Sequence, residues 1–129
     1  MKLLLDTHVL LWALLEPQKL SPELHNALED SNNTLVVSAA SAWEIATKWR
    51  LGKLQHARSV VDHYAMALHR LAAVDLPISG AVARQAGLWA VPHRDPFDRL
   101  LAAQARSEDL VLASTDPAFT QFEGVVTLG

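Results

Sequence analysis

The sequence predicts an α/β domain with a mostly parallel central sheet and helices packed on both of its faces. Three observations carry this. Short apolar runs recur along the chain, at residues 1–5, 34–37, 74–77, 110–113 and 125–128. Segments with helical apolar spacing separate them. The runs are mostly apolar rather than strictly alternating, as suits strands covered on both faces.

Each element has a local reason. Residues 1–5 form a buried strand, and Asp6-Thr7 opens a helix through Leu14 in which Val9, Leu10, Ala13 and Leu14 share a stripe. Residues 16–20 are a loop. Ser21-Pro22-Glu23 has the form of an N-cap with proline at the first helical position, and its helix runs to about Asp30. Ser31-Asn32-Asn33 is a turn before the strand 34–37. Ser38 caps a helix over 39–51 that Gly52 stops. The polar stretch 59–70 reads as one helix with Val60, Tyr64 and Leu68 on one face. A strand at 74–77, a helix over 79–89, a loop at 92–96, a helix to about Ser107 and two closing strands complete the order. There is no repeat, low-complexity tract or linker, so one domain over 1–129 is expected.

The 129 residues are 50% hydrophobic and 19% charged, a globular composition, with a formal net charge of -3. Bulk positive charge is absent, so phosphate contacts would need a local basic patch and metal ions. With no cysteine there are no disulfides, thiolate zinc sites or cysteine nucleophiles. A cytoplasmic protein is the simple expectation. Asp6 and His8 interrupt the N-terminal apolar run before it reaches the roughly 7–15 residues of a signal peptide, and no run approaches the roughly 18 of a membrane span.

Four acids stand against apolar segments, where an isolated charge is expensive to bury. Asp6 closes the first strand, Glu44 lies in a Trp- and Ala-rich helix, Asp98 follows Asp95-Pro96-Phe97, and Asp116 follows the strand 110–113. In open α/β sheets ligands bind beyond the carboxyl ends of the strands, and all four fall at that rim. Each has a structural alternative. Asp6 and Asp116 suit helix caps, and Glu44 suits an i,i+4 pair with Lys48 that contributes about 0.3–0.5 kcal/mol. Asp95 is favoured as a cap. Asp98 continues the stripe of Leu101, Ala102 and Ala105, where stability alone seldom puts an acid. One shared site explains all four together. Such oxygen donors suit Mg²⁺ or Mn²⁺, whereas no pair of histidines has zinc spacing beside them. His8 and Thr115 are supporting candidates, each with an equally good structural reading. Trp43 and Trp49 read as core residues rather than as platforms for bases.

At these residues the chain resembles the PIN-domain family, specifically the VapC-type toxins of toxin–antitoxin pairs. The likeness runs through Leu4-Leu5-Asp6-Thr7-His8-Val9-Leu10-Leu11-Trp12, then Ser38-Ala39-Ala40-Ser41-Ala42-Trp43-Glu44-Ile45-Ala46-Thr47-Lys48 with Gly52-Lys53-Leu54. It continues through His93-Arg94-Asp95-Pro96-Phe97-Asp98-Arg99-Leu100-Leu101-Ala102-Ala103-Gln104-Ala105 and ends at Ser114-Thr115-Asp116-Pro117-Ala118-Phe119. Four segments in order are far more specific than any one.

The resemblance implies a three-layer α/β/α domain that cuts RNA with Mg²⁺ or Mn²⁺, acting as a toxin that inhibits growth or translation. It implies Asp6, Glu44 and Asp98 as the principal metal-site acids and Asp116 as the fourth, with Asp95 in the motif and Thr7, His8 and Thr115 beside it. It also implies a homodimer and a cognate antitoxin whose tail enters the groove. Lys48, Arg50, Arg94 and Arg99 are candidates for phosphate contacts, against a solvated charged face as the alternative. Two other functions fit less well: a non-catalytic module that binds DNA together with an antitoxin, and a DNA-directed nuclease of the same type. A phosphoacceptor signalling domain is disfavoured, because the strand 34–37 lacks an acceptor Asp and no Lys follows Lys53.

Overall fold

The computed structural model describes residues 1–129. Five strands form one sheet: β1 (Lys2–Leu5), β2 (Thr34–Ser38), β3 (Val74–Leu76), β4 (Val111–Ala113) and β5 (Thr127–Leu128). Their order is β3-β2-β1-β4-β5, and every neighbouring pair is parallel. The sheet is therefore wholly parallel rather than mostly so. Seven helices accompany it: α1 (Thr7–Leu15), α2 (Pro22–Glu29), α3 (Ala39–Arg50), α4 (Arg58–Asp62), α5 (Tyr64–Arg70), α6 (Gly80–Leu88) and α7 (Pro96–Ser107). None is long and apolar enough to cross a membrane.

The continuous apolar runs are explained by two cores, one on each face. Leu3, Leu5, Leu35, Val37 and Ala113 join one cluster with Val9 and Leu10 of α1, Leu24 of α2, Val60 of α4 and Leu68 of α5. The intervening Leu4, Val36 and Leu112 join the other with Leu101, Ala102 and Ala105 of α7. Strand parity thus assigns each side chain a layer.

The caps follow the sequence. Ser21, Ser38, Ser79 and Asp95 each accept a backbone N–H at the start of α2, α3, α6 and α7. Gly52, with φ +77°, takes the left-handed turn that ends α3. Two expectations are corrected. The stretch 59–70 is two helices, broken at His63 (φ -130°, ψ 47°). Val60 and Leu68 are buried as expected, but each half is held by its own contacts. The last strand shrinks to Thr127–Leu128, because at the sheet edge it pairs only with Leu112 and Ala113.

Topology decides where a site can lie. The chain runs outward from β1 through β2 to β3, then returns to place β4 on the other side of β1. The order reverses between β1 and β4, so their carboxyl ends flank the crevice where α/β sheets bind ligands.

Candidate functional site

Asp6 stands at that crevice. Its N–H donates to Ala113 O at 3.0 Å, extending the β1–β4 ladder by one residue and setting Ser114 opposite it. Ser114 Oγ donates to Asp6 Oδ2 at 2.7 Å and accepts from the Asp116 N–H at 3.0 Å. Asp6 occupies the N-cap position of α1 yet makes no side-chain cap bond, so its carboxylate is turned to the crevice instead. It is 5% exposed. Its carboxyl lies above the usual range: burial is the main cause, Ser114 and His8 oppose it, and Glu44 adds to it.

Glu44, 4% exposed, comes from α3. Lys48 Nζ donates to its Oε2 at 2.5 Å. Burial alone would depress the Lys48 ammonium, but the bond and charge of Glu44, with Asp95 and Asp98, hold it above its ordinary value. Asp98 comes from the first turn of α7. It shares a 2.8 Å hydrogen bond with His93 Nε2. Its pKa is raised to about 6, mainly by burial; the His93 bond opposes this, and the charges of Asp95 and Asp6 reinforce it. These mutual effects join Asp6, Glu44, Asp98 and Asp95 around Lys48 in one acidic cluster.

Asp95 Oδ1 accepts from Phe97 N at 2.9 Å and from Asp98 N at 3.4 Å, the capping role its spacing favoured. Asp116 does not join the cluster. It is exposed, and its Oδ1 caps the following turn by accepting from Ala118 N at 2.9 Å. It reaches Asp6 only through its own backbone N–H and Ser114. Thr7 is buried and bonded to Ser41 Oγ at 2.9 Å, tying α1 to α3; His8 and Thr115 are exposed. No three His, Asp or Glu side chains converge as a ready ligand set. Each carboxylate has a partner of its own, as carboxylates sharing a cleft without a counter-ion must. By chemistry the donor set fits a hard divalent cation: buried, oxygen-only and short of positive charge.

Two of the expected phosphate-binding cations have other work. Lys48 holds Glu44. Arg99 is corrected outright. Its guanidinium donates to Ala86 O (2.9 Å), Val91 O (2.9 Å), His93 O (2.7 Å) and Trp89 O (2.5 Å). It caps the C-terminal end of α6 and pins the loop that carries His93. Trp89 and His93 pack edge-on against Phe122 from the other side, with ring centroids 5.0 Å and 5.8 Å apart. Arg50 and Arg94 are exposed. Trp43 is corrected as well: it is 55% exposed, not core, while Trp49 is half-buried.

Ser114 and His93 were overlooked as individual site residues. Aligning the ends of the first and fourth strands would have set Ser114 against Asp6. His93 has no comparable signal, because its bond to Asp98 depends on the loop that Arg99 shapes.

A wholly parallel α/β sheet that gathers buried carboxylates at its switch point defines the class of domain. The chain belongs to the PIN domain family, whose model matches residues 3–125. The fold is similar to that of VapBC2 from Rickettsia felis, solved bound to a DNA fragment from its promoter (TM-score 0.69, 16% identity, all of both chains). It is similar to FitAcB from Neisseria gonorrhoeae (TM-score 0.63, 22% identity, 98% of this chain and 96% of that one). It is also similar to Mycobacterium tuberculosis VapC20, a sarcin–ricin loop cleaving toxin (TM-score 0.65, 18% identity, 98% and 99%). No curated protein matches by sequence.

Two outcomes follow. Arg99→Ala should cost about 2–4 kcal/mol in chemical denaturation by stranding backbone carbonyls. Arg99→Lys should recover only part, since an ammonium cannot reproduce the planar fork. Secondly, an acid whose folded pKa is raised holds its proton more tightly in the native state. Asp98 therefore favours folding at low pH, and that contribution is lost as pH rises from 3.8 to about 6. In metal-free protein, Asp98→Asn should gain about 2 kcal/mol on wild type between about pH 4 and pH 7. A flat difference across that range would mean that the fold does not raise the pKa of the Asp98 carboxyl.

Proposed function

We propose that the protein is a metal-dependent endoribonuclease, the toxin of a toxin–antitoxin pair acting in the cytoplasm. The observation that carries this reading is the trio Asp6, Glu44 and Asp98 at the switch point of a PIN domain, the first two buried and Asp98 half-buried. Stability gains nothing from three clustered carboxylates, two of them almost fully buried. A cation makes them useful.

Asp6, Glu44 and Asp98 would hold Mg²⁺ or Mn²⁺, with Asp116 reaching it through solvent. When bound, such an ion supplies Lewis-acid polarisation of the phosphodiester and lowers the pKa of a coordinated water. The chain's own residues set up that chemistry. Ser114 fixes the plane of the Asp6 carboxylate through Oδ2. Lys48 donates to Glu44 Oε2 and so orients its carboxylate. His93 Nε2 and Asp98 Oδ2 share a hydrogen bond that orients the Asp98 carboxyl towards the crevice. Arg50 and Arg94, both exposed, would contact flanking phosphates.

The similarity to VapC20, described as a toxin that cleaves the sarcin–ricin loop, supports RNA as the polymer. The similarity to VapBC2 and FitAcB supports a partner antitoxin. A homodimer is part of the same reading. DNA in the VapBC2 structure favours the second reading, in which the protein mainly helps its partner bind promoter DNA.

Antitoxin-free protein is expected to cut total RNA into discrete fragments with Mg²⁺ or Mn²⁺ and not with EDTA. Asp6→Asn and Asp98→Asn should lower the rate at least about 100-fold, the scale of losing a charge-stabilising group. Mg²⁺ should raise the melting temperature of wild type and not of Asp6→Asn. Metal-loaded, folded protein that leaves RNA intact would favour the promoter-binding reading.

A further inference from the structure

We propose that Trp43 and Phe97 form a nucleobase-binding subsite that stacks one base of the RNA strand beside the phosphate being cut. This rests on the ribonuclease reading and specifies how that site takes hold of its substrate.

Trp43 is the one aromatic residue among the large hydrophobic side chains left exposed. The inward face of α3 buries Ala40, Ser41, Glu44 and Ile45, and the indole takes no part in that packing. Neither Trp43 nor Phe97 belongs to either core or to the small cluster between α6 and α7. The fold has no evident use for so large an apolar surface there. The two rings instead hold each other, edge to face, with centroids 4.7 Å apart and planes at 73°. That contact fixes the orientation of the indole in the absence of a core. Phe97 is itself anchored, since its N–H donates to the Asp95 cap.

Position ties the pair to the chemistry. Trp43 directly precedes Glu44 on α3, and Phe97 directly precedes Asp98 on α7. The aromatic pair therefore bridges the two helices that deliver these carboxylates. A base resting on the indole belongs to a nucleotide next to a phosphate at the acids.

The choice of a base over another occupant follows from charge and shape. The acidic cluster repels a polyanion, and Lys48 and Arg99 are engaged within the protein. Stacking adds affinity without a cation, because every base has a π face to offer. The principal surface cavities are walled by other residues, so the pair presents a ring rather than a groove for an apolar helix.

The test uses short single-stranded RNA oligonucleotides of mixed sequence, with tryptophan emission read in EDTA and cleavage read in Mg²⁺. RNA should quench wild-type emission, and Trp43→Phe should remove the quenched component. Trp43→Ala should lower kcat/KM by roughly 5- to 150-fold, mostly through KM, the range that base–aromatic stacking spans on alanine substitution. Trp43→Phe should restore most of it, with unchanged melting in both variants. Removing one base beside the mapped cut should cost wild type as much and Trp43→Ala nothing further. Quenching that persists in Trp43→Phe, or wild-type cleavage by Trp43→Ala, overturns the subsite. Intact cleavage with loss of antitoxin binding or self-association in Trp43→Ala also overturns it and assigns the indole to a protein interface. If RNA quenches Trp43 but is never cut, the base site stands and the ribonuclease reading falls.

Discussion

The structure depends on one hydrogen-bonded junction, where β1 ends against β4 and a buried carboxylate meets a buried hydroxyl. The Asp6 N–H continues the sheet ladder to Ala113, so Ser114 must lie opposite Asp6. The Ser114 hydroxyl then donates to the carboxylate and accepts from Asp116, coupling the turn out of β4 to the orientation of Asp6. This arrangement has a local cost. A side-chain cap contributes about 1 kcal/mol to a helix, and α1 forgoes one although Asp6 stands in the right place. The helix is held instead by Val9, Leu10 and Leu11 against the sheet. A cap surrendered in this way separates a residue kept for a site from one kept for the fold.

The remaining acids are restrained by different means, each suited to its element. Asp98 sits in the first turn of α7, where the helix dipole favours a negative charge, yet burial still lifts its pKa. Glu44 has no helix end to help it and depends on Lys48, one turn further along α3. His93 reaches Asp98 only because Arg99, the residue after Asp98, gathers the loop carbonyls beneath it. Asp98 and Arg99 thus divide the labour of one short segment: the first faces the crevice, and the second builds the wall that supports it.

Legibility in the sequence followed what each feature depends on. Strands buried on both faces are apolar by necessity, so the sheet could be read directly. Ser21, Ser38 and Asp95 could be read as caps, because capping requires particular residues at particular places. The break at His63 was not legible, because no glycine or proline marks it. Arg99 was misjudged because its partners are backbone carbonyls left free at the end of α6, and a carbonyl leaves no trace in a sequence. Trp43 was misjudged because a tryptophan among alanines in a helix resembles a core residue until the helix is oriented. The acids could be located as a group. Their division into a trio of Asp6, Glu44 and Asp98, a cap at Asp95 and an outlying Asp116 needed the register of β1 against β4.

That division bears on how a chain of net charge -3 can hold a polyanion. Counter-ion release gives affinity in proportion to the phosphates neutralised. Of the four cations near the acids, Lys48 and Arg99 are spent on Glu44 and on the loop, leaving Arg50 and Arg94. Two phosphate contacts are a weak and salt-sensitive hold. On the proposed reading, a site so short of free cations needs help from elsewhere, and a divalent ion and an exposed indole would give it by different means. The ion would offset the carboxylates where a phosphate must approach. The indole would offer a base a surface whose attraction does not depend on charge. Arginines in place of this aromatic contact would face the same three acids that already engage Lys48, and would be drawn into the cluster rather than out to a substrate.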